Sequence, residues 1–189
     1  MSTWKRRMIL TAAALVAAAG LSCSNELTNN GAPVEFVVTN SQNLSKLDLL
    51  GGTRCNENIG TINMQVFPKN STVTSNFTQV RVTRYRVSYQ RIDGGTLVPA
   101  PFVRSIDSLV GVGATTGLSD FTVLQGDAVL QAPFAALFPN NGGRDPETGR
   151  SQVSMDVVVE LFGETLGGDN VYDSTRFPLT FCYNCQGCD

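Results

Sequence analysis

The residues with the clearest chemical potential are sulfurs. The chain ends in Cys182-Tyr-Asn-Cys185-Gln-Gly-Cys188-Asp, and a further cysteine stands at Cys55. Three chemistries use such a set. An even number of cysteines in an oxidising compartment forms structural disulfides, and four cysteines allow three connectivities. Four thiolates in a Cys-x-x-Cys-x-x-Cys run with one distant partner also suit zinc or an iron–sulfur cluster. A thiol–disulfide oxidoreductase would place Cys-x-x-Cys at a helix N-terminus, where the dipole lowers the thiol pKa. Here the motif ends a strand-like run and the sequence stops four residues after Cys185. The expectation is structural disulfides among Cys55, Cys182, Cys185 and Cys188, with no metal and no cofactor. A bridge from Cys55 to the terminal cluster would close a loop of more than about 120 residues, for which chain entropy predicts roughly 4–5 kcal/mol. The remaining two cysteines would then pair locally.

Other chemistry is thinly represented. The 189 residues contain no histidine, which excludes Ser-His-Asp and Cys-His nucleophile systems and His-ligated metals. Asp156 and Glu160 share a strand face about 13 Å apart at the usual rise, too far for a glycosidase pair, which needs about 5–9.5 Å. Asp145 with Glu147, and Asp169 with Asp173, match no calcium-loop spacing and read as turn residues. Arg81, Arg84, Arg86 and Arg91 concentrate basic charge in one strand. Arg84 and Arg86 share a face with Ser88 and Gln90. That face is expected to be wet, with ion pairs to Asp156 or Glu160; the sharper reading is a docking stripe for an acidic partner or a polysaccharide. A carbohydrate-binding role for Tyr85 and Tyr89 would require both rings to face outward.

These side chains must be positioned by elements with a period of two. Val34 to Thr39 is a β-branched run, and Ile62, Met64 and Val66 share one face. Between Gln79 and Ile92, Val80 and Val82 have one parity and Tyr85, Val87 and Tyr89 the other, which predicts a bulge. Asp93-Gly94-Gly95 then signals a turn. Val153, Met155, Val157, Val159 and Leu161 alternate with Ser154, Asp156 and Glu160. Gly167 to Asn170 reads as a turn and Arg176 to Tyr183 as a last strand, with Pro178 favouring an edge. Phe121 to Gln131 is expected as a strand, followed by one short helical turn near Ala135, because Pro133 would interrupt a longer helix. Asn140 to Gly149 is expected as an exposed loop. Seven or more such strands predict an all-β, antiparallel sandwich.

Ahead of this domain stands an address. Lys5, Arg6 and Arg7 precede an apolar stretch from Met8 to Leu21, which is the form of a secretory signal. Ala19-Gly20-Leu21-Ser22-Cys23 resembles the lipobox of bacterial lipoproteins, which implies lipidation of Cys23. The implied organisation is a signal peptide over 1–22, a lipidated flexible tether over 23–33 and a β-sandwich over 34–189. By the sorting pattern of such proteins, Ser24 implies the outer membrane. Without the signal, basic residues fall from 14 to 11 against 16 acidic ones, so the net charge moves from −2 to −5. That balance offers no footprint for nucleic acid. The Asn-x-Ser/Thr triplets at Asn43, Asn70 and Asn76 read as turn and strand residues beside a bacterial signal.

Thr83-Arg84-Tyr85-Arg86-Val87-Ser88-Tyr89 with Asp93-Gly94-Gly95 resembles the C strand and turn of fibronectin type III and immunoglobulin-like domains. Phe121 to Leu124, Pro133-Phe134 and Val157 to Gly163 are similar to the second half of immunoglobulin-like bacterial lipoproteins. The only tryptophan, Trp4, lies in the signal. Tyr183-Asn184-Cys185 mimics a tyrosine corner but leaves no room for a following strand. The resemblance implies a non-enzymatic envelope module, anchored to the membrane through Cys23, whose partner is an envelope protein or a polysaccharide. The alternative is a redox or metal protein using Cys55 and the terminal cluster.

Overall fold

The computed structural model describes residues 31–41, 45–50, 61–72, 75–119 and 121–185. Eight strands form: β1 (Val34–Asn40), β2 (Lys46–Asp48), β3 (Ile62–Pro68), β4 (Val80–Arg91), β5 (Phe102–Val110), β6 (Thr115–Leu118), β7 (Gln152–Thr165) and β8 (Asn170–Cys182). They make two sheets, β1-β3-β6 and β2-β8-β7-β4-β5. The larger one curls into a half-barrel. The protein is therefore all-β, and among the described residues only short 3-10 turns interrupt the strands.

Alternation explains why the sheets face each other. In β7, Val153, Met155, Val157, Val159 and Leu161 are all buried while the residues between them are half-buried. Ile62, Met64 and Val66 of β3 and Val34, Phe36 and Val38 of β1 supply the opposing face of the core. The anticipated slip in β4 is present: the register against both neighbours shifts between Val82 and Arg84. Val80 and Val82 before the shift and Tyr85 and Val87 after it all point inward. One extra residue flips parity, and the bulge keeps the apolar set on one face.

Four expectations are corrected. The larger sheet is mixed rather than antiparallel, because β2 pairs with β8 in parallel. Pro178 is not in an edge strand, since β8 lies between β2 and β7. It is tolerated because the Thr180 N–H donates to Ser45 O at 3.0 Å. The Pro178 nitrogen points to that same side, just beyond the three residues of β2, so no ladder bond is lost. Phe121 to Gln131 is not a strand. Val123 and Leu124 are both buried, which breaks alternation, and the backbone finds partners in side chains. The Thr122 N–H donates to Tyr85 Oη and the Tyr89 hydroxyl donates to Val123 O, at 3.1 and 2.6 Å. Gly126–Leu130 and Phe134–Leu137 follow as 3-10 turns, the second being the helical turn expected near Ala135. Phe121 and Phe134 pack on Phe177 and Phe181 of β8. Finally, Asn140 to Gly149 is not wholly exposed, because Asp145 is completely buried.

Candidate functional site

The densest polar constellation lies at the C-terminal end of β4. Arg91 follows the inward-facing Tyr89 and runs into Asp93-Gly94-Gly95, where Gly94 takes a φ of +98° that a side chain would strain. The Arg91 side chain is 2% exposed, Asp93 3% and Asp145 0%. Arg91 Nε and Nη2 donate to the two oxygens of Asp93 at 2.7 and 3.0 Å, a bidentate fork. Nη2 also donates to Asp145 Oδ2 at 2.8 Å, and Nη1 to Leu97 O at 3.2 Å. Glu147 stands 3.5 Å from Nη1. A Cβ on Gly95 would fall 2.4 Å from the guanidinium carbon, so only glycine lets the loop close over this clamped cation.

The carboxylates are in turn spent on backbone. Asp93 accepts from the N–H groups of Gly95 and Ser154. Asp145 Oδ2 accepts from the N–H and hydroxyl of Thr148. Glu147 accepts from the N–H groups of Thr96 and Leu97 and from the Thr96 hydroxyl. The network thus ties the loop after β4 to the 140–149 loop and to the start of β7. Burial pushes the Asp93 carboxyl up, but the Arg91 fork and two backbone donors outweigh it and hold it down at about 2. Burial likewise opposes ionisation of Asp145, and the bonds from Arg91 and Thr148 outweigh it, so its pKa is lowered. Glu147 is lowered by the Leu97 N–H first and by Thr96 next. Burial would lower Arg91, yet Asp93 and Asp145 raise it. Every member is locked in its charged form, which suits a clamp and not proton transfer near neutral pH. Asp145 and Glu147, expected as turn residues, are therefore anion partners of a buried arginine. The sequence gives only a weak signal for this, the absence of a calcium-loop spacing.

The outer face of the same strand differs. Arg81 pairs with Asp107 at 2.8 Å, and both are exposed. Arg84 lies over the Phe162 ring, 4.7 Å from its centroid. Arg86 meets Glu160 at 3.5 Å, as anticipated. Asp156 instead pairs with Arg176 of β8, at 3.7 Å. Glu160 Oε1 also accepts from the Tyr172 hydroxyl at 3.0 Å, and Tyr172 packs on Phe162. Beside the bulge is an open hollow of about 340 Å³ lined by Thr83, Arg84, Phe162, Gly163, Glu164, Asn170 and Val171. Gly163 makes it possible, because a Cβ there would lie 2.6 Å from Arg81 O. Tyr85 and Tyr89 face inward and hold the 121–124 segment, so they form no carbohydrate platform. Asp169 accepts from its own turn, while Asp173 Oδ2 accepts from the Val38 N–H across the sheets.

At the chain's end Cys182 and Cys185 form a disulfide. Cys182 is buried against β2, with the Leu49 N–H donating to its carbonyl at 2.8 Å. Asp48 accepts from the N–H groups of Leu50, Asn184 and Cys185, fixing the turn between the two cysteines. The Tyr183 ring packs on Phe138. Cys23, Cys55 and Cys188 lie outside the described residues. Two of the four candidate thiolates are thus bonded to each other, and among the described residues no group of three or more His, Cys, Asp or Glu is placed to hold a metal ion. No described helix is long and apolar enough to cross a membrane. No protein-family model, curated protein or solved structure matches the chain.

Proposed function

We propose that this chain is an exported, lipid-anchored module of the cell envelope, held at the outer membrane through Cys23, with a structural or protein-contact role and no catalysis. In this reading the two sheets form a sandwich of the immunoglobulin/fibronectin III kind at the end of a flexible tether. The observation that carries the non-catalytic part is the Arg91 cluster. The most perturbed carboxylates are committed to a guanidinium and to backbone donors. A reactive site would leave at least one of them poised near neutral pH. The Lys5 to Cys23 pattern supports the anchor. Several acyl chains bind a bilayer stably, at about 0.8 kcal/mol per buried methylene.

The redox alternative would act through Cys182–Cys185. Against it, Cys182 is buried, and among the described residues no helix N-terminus lies behind the pair to stabilise a thiolate. With Cys182 and Cys185 joined, a bridge from Cys55 to the terminal run has only Cys188 as its partner. Labelling cells with a palmitate analogue tests the anchor. The expected result is incorporation that disappears in Cys23→Ala; equal labelling of both forms, or of neither, contradicts it.

A further inference from the structure

Strand β5 is the outermost strand of the larger sheet, paired on one side with β4. Its other side presents a row of backbone donors and acceptors, the usual template for a further strand. Edge strands are commonly protected by shortness, bulges or charges. β5 runs for nine residues and carries two large exposed apolar side chains, Val103 at 57% and Leu109 at 52% exposure.

Their placement is symmetric about Ile106. A two-fold axis perpendicular to the sheet keeps each copy's outer face outward, so it can be centred only on a residue or its equivalent in the pleat. Centred on Ile106, antiparallel pairing sets Val103 of one copy opposite Leu109 of the other, Arg104 opposite Ser108 and Ser105 opposite Asp107. Apolar meets apolar twice, and every charge meets a hydroxyl. The neighbouring registers fail. Centring on Ser105 sets Val103 against Asp107 and Arg104 against Ile106. Centring on Arg104 or Asp107 brings two like charges face to face, which is destabilising. Asp107 already has its counter-ion in Arg81 of its own chain, so it carries no net charge into the seam.

We propose that a second copy of this chain adds to the free edge of β5, forming a two-fold dimer with a continuous ten-stranded sheet in the Ile106-centred register. Main-chain hydrogen bonds supply the affinity, and the two Val103–Leu109 contacts supply the register. The inference does not depend on the lipid anchor. An edge-only seam is small, so association is expected to depend on concentration, and tethering both copies to one membrane would favour it.

Sedimentation velocity on the purified full chain in detergent, across a range of concentrations, tests this. The wild-type chain is expected to pass from monomer to dimer. Val103→Lys/Leu109→Lys sets lysine against lysine twice and should weaken self-association by at least about tenfold. Val103→Lys/Leu109→Glu changes the same exposed positions but sets opposite charges across the seam, and should restore the dimer. A wild-type chain that stays monomeric overturns the proposal. So does equal association of all three forms, which would place the contact in shared micelles or on another surface. Failure of the Lys/Glu form to associate overturns the register and with it the proposal. A non-acylated Cys23→Ala chain that still dimerises would leave this inference standing while the anchor fell.

Discussion

Strand β4 handles arginine in two ways. At its C-terminal end Arg91 is 2% exposed and shares its guanidinium among three carboxylates and a carbonyl. At its other end Arg81 is 52% exposed and pairs with one equally open aspartate. The side chains are the same; their solvation is not. In the buried cluster each charge would be costly alone, so the members depend on one another and the loops they touch become one unit. On the wet face water already solvates both partners, and the pair adds little. The difference teaches where this molecule keeps its rigidity: in the connection between the loop after β4, the 140–149 loop and β7, not in the charge stripe that first draws attention.

The largest expected effect comes from breaking the buried side of the comparison. Arg91→Met should destabilise by about 3–5 kcal/mol, because it strands Asp93 and Asp145 without a counter-ion. Urea unfolding followed by fluorescence measures it, and a loss below about 1 kcal/mol would show that the cluster is not a unit. Next in size is a change of overpacking. Gly163→Ala drives a methyl into the Arg81 carbonyl at the bulge and should cost about 1–3 kcal/mol.

Acid provides a third test, comparable in size. The Asp93 carboxyl is held at about 2 against an ordinary 3.8, so its folded pKa is depressed. Its contribution is therefore complete above the ordinary carboxylate range and is lost as pH falls from about 4 through about 2. The expected loss is on the order of 2 kcal/mol across that window, read from urea midpoints at stepped pH. In Asp93→Asn this part of the pH dependence should disappear. The smallest effect belongs to the exposed pair. Arg81→Ala should leave the thermal midpoint unchanged within error at both low and high salt. A clear drop would mean that the wet face is as integrated as the buried one.

Much of the framework is readable from side-chain rhythm. The alternation of Val153 to Leu161 and the parity slip between Val82 and Tyr85 each have a single geometric solution, and both are present. Phe121 to Gln131 misled because its composition is strand-like, while its backbone partners are the hydroxyls of Tyr85 and Tyr89, far away in sequence. β2 was invisible because three residues carry no period, and its parallel pairing with β8 follows from tertiary placement. The Arg91 cluster was missed for a different reason. Asp, Pro, Glu, Thr and Gly favour turns equally whether the turn is wet or folded over an arginine, so residue type alone does not report the burial of Asp145. Local pairing of two cysteines was foreseen, but which two was left open among Cys55, Cys182, Cys185 and Cys188. Cys182–Cys185 became evident only once Asp48 had fixed the intervening turn.

The most direct test of the whole account is intact mass with non-reducing peptide mapping of the chain extracted from membranes. The predicted result is a mature chain beginning at an acylated Cys23, with Cys182 joined to Cys185 and no bound metal. An unprocessed N-terminus, or free thiols at Cys182 and Cys185 with zinc or iron retained, would contradict it.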